Sequence, residues 1–335
     1  MLRFGLGVPT ATEGMMYPVP YADAADAVHL AVEAERLGFE SVWGNDHVST
    51  QQYVRREFAD PPRFWDPFSY LSFVAARTER IRLATAVAVM PFRHPALVAK
   101  QAATLDHLSG GRMVLGVGIG AYREEFEALH PGSPLHRGDH ADEYLDALAL
   151  LFGERRASYR GRYVRFEDLE SHPKPLQEPL PILSGGNSLG ARRRAARVQG
   201  WLPACLNPAE YAAGLAEISG EAGGSLPAGF EAALQLVVAV GDTHEDAVAR
   251  FVSAQVHRHL TSLGDSTMRG RLDDDLVSRN LVGTPDDVAG RVAEYAAAGV
   301  GTFAGLLFAA DTVAETLDQM AAFAEGVIAT TGETS

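Results

Sequence analysis

The chain has 335 residues, 47% of them hydrophobic and 21% charged, with a mean hydropathy of −0.04. This excludes a disordered chain, which lacks apolar residues to bury, and the single cysteine, Cys205, excludes a disulfide scaffold. A formal net charge of −14 argues against a nucleic-acid protein, whose affinity rests on a basic face. No apolar run approaches the ~20 residues that span a bilayer. The first residues, MLRFGLGVPT, read as a strand rather than a cleavable signal, so a soluble cytoplasmic protein is expected.

Short apolar runs alternate with amphipathic stretches along the chain, the rhythm of βα units around a parallel sheet. A first strand is expected at 3–9, then a loop rich in Gly, Pro and Tyr, and a helix at 22–37 that Gly38 ends. A second strand at 41–47 leads into a long polar loop reaching Arg63, and Asp66 caps a helix that runs to Arg77. Residues 81–89 are nearly all apolar, as a strand buried on both faces requires. Pro95 opens a helix at 95–107, a fourth strand follows at 113–120, and a helix at 139–152. Over 153–180 the rhythm breaks into a small hairpin at 159–166 and the Pro-rich run HPKPLQEPLP. It resumes with strands at 181–186, 201–205 and 234–241, each followed by a helix, at 188–199, 208–221 and 243–259. A polar insertion at 262–282 precedes a helix that Thr284 and Pro285 begin, and a strand at 302–308 with a helix at 311–328 closes the pattern. Eight strands alternating with helices predict an α/β fold, a closed (β/α)8 TIM barrel. One domain is expected over 1–335, with insertions near 153–180 and 262–282. An open doubly wound sheet usually has fewer strands.

In such a barrel the working residues sit at the C-terminal ends of the strands. Strand five ends in Ser184-Gly185-Gly186-Asn187-Ser188, a turn into a helix whose backbone N–H groups, freed of side-chain obstruction, suit a phosphate. Arg192 to Arg194 follow it within two helical turns. The alternative is a plain tight turn with a basic solvated face. Gly116, Gly118 and Gly120 are spaced G-x-G-x-G rather than as a dinucleotide fingerprint, and more plausibly keep a pocket wall open for a flat ligand. Asp46-His47 stands at the end of strand two, where a histidine can move a proton near neutral pH or be satisfied by a backbone carbonyl. His136 with His140, and His257 with His259, lack a third ligand for a metal site. A G-x-S-x-G nucleophile is absent, and Cys205 reads as core.

Three stretches carry a family pattern: ERLGFESVWGNDHV (35–48), TERIRLATAVAVMPFRHPALVAKQAATLDHLSGGRMVLGVGIGAYREEFEALHP (78–131) and KPLQEPLPILSGGNSLGARRRAARVQGWLP (174–203). They resemble the bacterial luciferase-like monooxygenase superfamily, most of all its coenzyme F420-dependent branch. The resemblance covers 1–205 with specific motifs and 230–330 more loosely. It implies a luciferase-like barrel holding a flavin or deazaflavin at the strand C-termini, with a non-proline cis peptide at Ala86-Val87, after Thr85, backing the ring. It also implies that Ser184, Gly185, Gly186 and Asn187 meet the cofactor phosphate and that Gly118 and Gly120 line the cofactor site. Asp46-His47 is typical of deazaflavin-using members, which implies His47 as acid/base, positioned by Asp46. One departure stands out: sugar-phosphate dehydrogenases of that branch carry a Glu directly after the strand-four glycines, where this chain has Ala121. The expected function is F420-dependent hydride transfer to or from a small organic substrate. The runner-up is an FMN-dependent monooxygenase served by a flavin reductase, and a non-catalytic flavin-binding barrel is the alternative of another class. Glu13, Tyr17, Tyr122, Arg123 and the 262–282 insertion are expected around the substrate. A homodimer is expected from the family.

Overall fold

The computed structural model describes residues 1–263 and 276–332. The first half runs β1 (Arg3–Val8), α1 (Ala24–Arg36), β2 (Ser41–Gly44), α2 (Gln52–Glu57), α3 (Pro67–Ala75), β3 (Arg82–Thr85), β4 (Ala88–Val89), α4 (Pro95–Ser109), β5 (Met113–Gly118), α5 (Arg123–Leu129) and α6 (Arg137–Gly153). A hairpin of β6 (Ala157–Arg160) and β7 (Arg165–Leu169) precedes β8 (Ile182–Gly185), α7 (Leu189–Ala195), β9 (Gly200–Leu202) and α8 (Pro208–Glu221). Then come β10 (Glu231–Leu234), β11 (Val237–Val240), α9 (His244–Ser253), α10 (Gln255–Leu263), α11 (Leu276–Arg279), β12 (Leu281–Gly283), α12 (Pro285–Ala297), β13 (Thr302–Phe308) and α13 (Val313–Phe323).

The main sheet is parallel, in the order β1-β2-β3-β5-β8-β9-β10-β13, and β13 pairs back onto β1 through Arg3↔Thr302 and Phe4↔Phe303. This closure makes it a TIM barrel with its helices outside, as the rhythm predicts. Helix starts follow local chemistry. Asp23, Asn207, Thr284 and Thr312 each accept from the backbone three residues on, and Asp26, Glu210, Asp287 and Glu315 return the bond.

Several boundaries differ from expectation. The strand expected at 81–89 is broken: β3 and β4 both pair with β5, and Ala86-Val87 between them forms a cis peptide. The strand expected at 234–241 starts at Glu231 and divides into β10 and β11, both seated on β13. The helix expected at 243–259 divides at Ala254, whose backbone is extended. Helices α2 and α5 lie in segments read as loop, because six or seven largely polar residues give no visible period. Strand β12, inside the segment read as insertion, pairs with β11. Residues 264–275 of that insertion lie outside the described residues.

The barrel interior stacks Trp43 against small neighbours, Ala84, Val114, Ala233 and Ala304, with Leu183 and Leu202. At the N-terminal end, Arg82 forks onto Glu231 with two 3.0 Å bonds, Thr302 Oγ1 donates to the same carboxylate at 3.1 Å, and Arg3 lies 3.4 Å away. All four open their strands, so this ion cluster closes the bottom of the barrel. The C-terminal end is left to carry the loops.

Candidate active site

At the C-terminal mouth the break in the third strand position is held on three sides. Ala86 N–H donates to Gly44 O at 2.7 Å, Thr85 Oγ1 donates to Gly116 O at 2.7 Å, and Val89 N–H donates to Asp46 Oδ2 at 2.9 Å. Ala86 and Val87 remain partly exposed between these anchors. A Cβ at Gly118 would lie 2.5 Å from Val87 Cγ2, and one at Gly185 would lie 2.5 Å from Val87 Cγ1. These glycines therefore receive the bulged strand. Gly118, expected with Gly116 and Gly120 to keep a pocket wall open, instead makes room with Gly185 for the Val87 side chain.

Asp46 does not position His47. Its Oδ2 accepts from Val89 and from Arg93, and Arg93 reaches on to Asp66 at 2.8 Å. His47 is held instead by Glu125 of α5, whose Oε2 lies 2.7 Å from Nδ1, with side chains only 11% and 2% exposed. Gln51 Nε2 lies 3.2 Å from the same nitrogen. Glu125 Oε1 also accepts from the N–H groups of Val48 and Ser49, at 3.1 and 3.2 Å, and so ties down the loop after β2. Burial alone would raise the Glu125 carboxyl, but the bond and charge of His47, with the two N–H groups, hold it below its ordinary range. An ionised carboxylate only accepts, so Nδ1 carries the proton, and Nε2 has no hydrogen-bond partner among the described residues.

The Ser184-to-Ser188 turn is braced from within. Ser184 Oγ donates to Ala191 O at 2.9 Å, Gly186 N–H to Leu202 O at 3.0 Å, and Asn187 Nδ2 to Ala204 O at 2.8 Å. Gly186 takes φ +111°, a conformation that favours glycine. The three arginines that follow are not free cations for a phosphate. Arg192 binds Glu217 at 2.6 Å, Arg193 binds Glu221 at 3.1 Å, and Arg194 binds Asp142 at 2.9 Å.

Four residues form an aromatic arm around His47. Its ring lies 5.8 Å from Phe64 and 5.7 Å from Tyr122. The Tyr122 and Tyr53 hydroxyls are 3.4 Å apart, and Tyr53 Oη lies 2.7 Å from His259 Nδ1. Burial, helped by His47, pushes the His259 imidazole down to about 3, so it is neutral. Tyr122 lies beside His47, while three other residues expected around the substrate lie elsewhere. Glu13 is a buried staple that accepts from Tyr21 N–H at 3.0 Å and from Arg63 Nη2 at 2.7 Å. Tyr17 is stacked on Tyr21 in the core at 4.0 Å. Arg123 is 81% exposed and pairs with Glu127. His136 caps α6 at the surface, His140 is buried and pushed down to about 4, and burial pushes the Cys205 thiol up to about 12. Glu125 and Tyr53 were missed, and His259 was weighed with His257 only as a metal ligand. The signal for Glu125 was the acidic pair Glu124-Glu125 just past the strand-four glycines; nothing local marked Tyr53.

The profile of the luciferase-like monooxygenase family matches residues 2–302. The chain belongs to this family. An uncharacterized protein of Mycobacterium tuberculosis is 36% identical over 183 residues, half of this chain and 64% of its own length. The luciferase-like chain is also 31% identical over 301 residues to the FMNH(2)-dependent dimethylsulfone monooxygenase of Pseudomonas putida, covering 81% of this chain and 79% of that one. Among solved structures, an F420-dependent secondary alcohol dehydrogenase in complex with an F420-acetone adduct superposes with a TM-score of 0.76 at 19% identity, over 98% of each chain. The last likeness establishes the barrel alone. No described helix is long and apolar enough to cross a membrane.

Proposed function

We propose that this luciferase-like protein is an F420-dependent oxidoreductase that moves a hydride between the deazaflavin and a small organic substrate. The observation that carries the reading is the His47–Glu125 bond at the barrel mouth, on the loop that follows the platform's neighbouring strand. It supplies from α5 the carboxylate that Ala121 does not. The residues present fit such a cofactor. Ala86 and Val87 offer a partly exposed apolar step, while Asn45 Oδ1 and Asp46 Oδ1 are buried without a hydrogen-bond partner at its edge. Bound deazaflavin would supply the hydride chemistry. Thr85, Ala86 and Val87 would back its ring, with Gly118 at the end of β5 supporting Val87 and Gly120 just past that strand, and the 184–187 turn would meet its phosphate. His47 Nε2 gives or takes the proton that accompanies the change at the substrate, and Glu125 fixes which nitrogen does so. A homodimer in the cytoplasm is the expected setting.

A second reading, a reduced-FMN monooxygenase using oxygen and a partner flavin reductase, is favoured by the likeness to the dimethylsulfone enzyme. Fluorescence titration with F420 and with FMN, each in both redox states, separates the two. Tight F420 binding with weak FMN binding is the expected result. The reverse moves the chain to the monooxygenase, and binding of neither overturns both.

A further inference from the structure

Resting on the F420-dependent reading, we propose that Arg137 is the counter-charge for the cofactor's phosphate, and that its single charge suits the phosphodiester of F420 rather than the phosphomonoester of FMN. The 184–188 turn offers hydrogen bonds but no charge. Gly186 N–H is spent on Leu202 O, while the N–H groups of Asn187 and Ser188 have no partner among the described residues. The cations that follow the turn are taken: Arg192, Arg193 and Arg194 each bind a carboxylate. A phosphate seated there needs its charge met from another element.

Arg137, the first residue of α6, is placed to do so. Its Nη1 donates to Gly120 O at 2.8 Å, just past the end of β5. Strand β5 runs beside β8 with Val117 opposite Ser184, so Gly120 lies beyond the strand end that borders the turn. Arg194 joins the two helix starts. Its Nη2 donates to Gly138 O at 3.3 Å, and a Cβ on Gly190 would lie 3.4 Å from the same nitrogen. Arg137 therefore stands one residue from a contact with the first turn of α7. Among the arginines of α6 and α7 it alone pairs with no carboxylate, and its Nε and Nη2 have no partner among the described residues.

The charge count decides which phosphate. Arg123 and Glu127, whose charges act on Arg137, bind one another. At the start of α6, His136 lies against Asp139, and Asp142 is held by Arg194. One half-buried positive charge is left over. Burial, then the charge of Arg123, pulls the Arg137 guanidinium below its ordinary value, so this cation gains from an anion. A phosphodiester carries one negative charge at neutral pH. A terminal phosphomonoester, whose second pKa is about 6, carries nearly two, and the second finds no cation there. The free Nε and Nη2 suit two phosphate oxygens at once, as a guanidinium fork does.

The test is fluorescence titration of the whole chain with two pairs, each a phosphate ester beside its phosphate-free chromophore: F420 with 8-hydroxy-5-deazariboflavin, and FMN with riboflavin. Arg137→Gln is expected to weaken F420 at least about tenfold, the worth of a charge-assisted bond, and to leave the deazariboflavin unchanged. Arg137→Lys should recover part of the loss, because it keeps the charge without the fork. In the native chain the phosphate-bearing arm should tighten binding more in the F420 pair than in the FMN pair. An Arg137→Gln variant that binds F420 as before overturns the proposal. So does one that weakens both members of the F420 pair alike, which makes Arg137 a brace for the carbonyls of Ile119 and Gly120. A larger gain in the FMN pair overturns the match to a diester. Failure of the cofactor reading shows separately, as an absence of F420 binding by the native chain, and the FMN pair with Arg137→Gln then still reads the arginine.

Discussion

Glu125 gives His47 one tautomer. With the carboxylate accepting the hydrogen bond from Nδ1–H, the ring presents Nε2 for proton transfer. His47→Ala is expected to lower turnover on the order of 10²–10⁴-fold, the usual contribution of a positioned acid/base group. Glu125→Gln should lower it roughly 10–100-fold, as loss of an orienting partner does. Cofactor Kd should stay unchanged in both. Nitrogen NMR of the His47 ring reads the tautomer independently, and a ring unaltered by Glu125→Gln sinks the positioning role. Asp46-His47 was legible as a pair, but neighbours in sequence at a strand end point apart, so the partner had to be sought on another element. Arg192 to Arg194 misled for a related reason: a basic run at a helix start suits a phosphate equally well whether or not acidic residues of α6 and α8 stand opposite it.

The glycines of β5 and β8 are fitted to the broken third strand rather than to a ligand. Gly118→Ala places a methyl 2.5 Å from Val87 Cγ2, and overpacking of this kind costs about 1–3 kcal/mol. We expect it to displace Val87 and weaken cofactor binding, measured as Kd beside thermal unfolding. Gly290→Ala in α12, where a Cβ meets nothing within 4 Å, should stabilise by up to about 1 kcal/mol and leave Kd alone. A Gly118→Ala variant that bound cofactor as before would remove Val87 from the platform. The apolar run at 81–89 made a strand legible here; from residues alone, the break is visible only through the family resemblance. Helix starts were read well because Ser, Thr, Asn and Asp caps act locally, whereas α2, α5 and β12 were too short for periodicity to register.

Across the whole molecule, the ion cluster under the barrel links four strand starts that lie far apart in the chain. Glu231→Gln leaves Arg82 with Glu40 alone, so unfolding free energy should fall by about 3 kcal/mol, the low end for breaking a buried pair. Burial alone would raise the Glu231 carboxyl, but the bond and charge of Arg82, together with Arg3 and Thr302, hold it below its ordinary value. Its stabilisation is therefore complete above the unfolded carboxylate pKa of about 4.3 and is lost as pH falls through the lower folded value. Denaturant unfolding between pH 7 and pH 3 should show this acid loss in the native chain and a smaller one in Glu231→Gln. An equal loss in both would assign the acid sensitivity to other carboxylates. The barrel itself was legible because its rhythm repeats along the full length, while the site was not, since its bonds join distant segments. That distance also orders events in time. The His47–Glu125 bond spans 78 residues and the Tyr53–His259 bond spans 206. A chain still emerging from the ribosome can orient the histidine long before it can assemble the arm around it, so half a barrel can own its acid/base group and still have no place for a substrate.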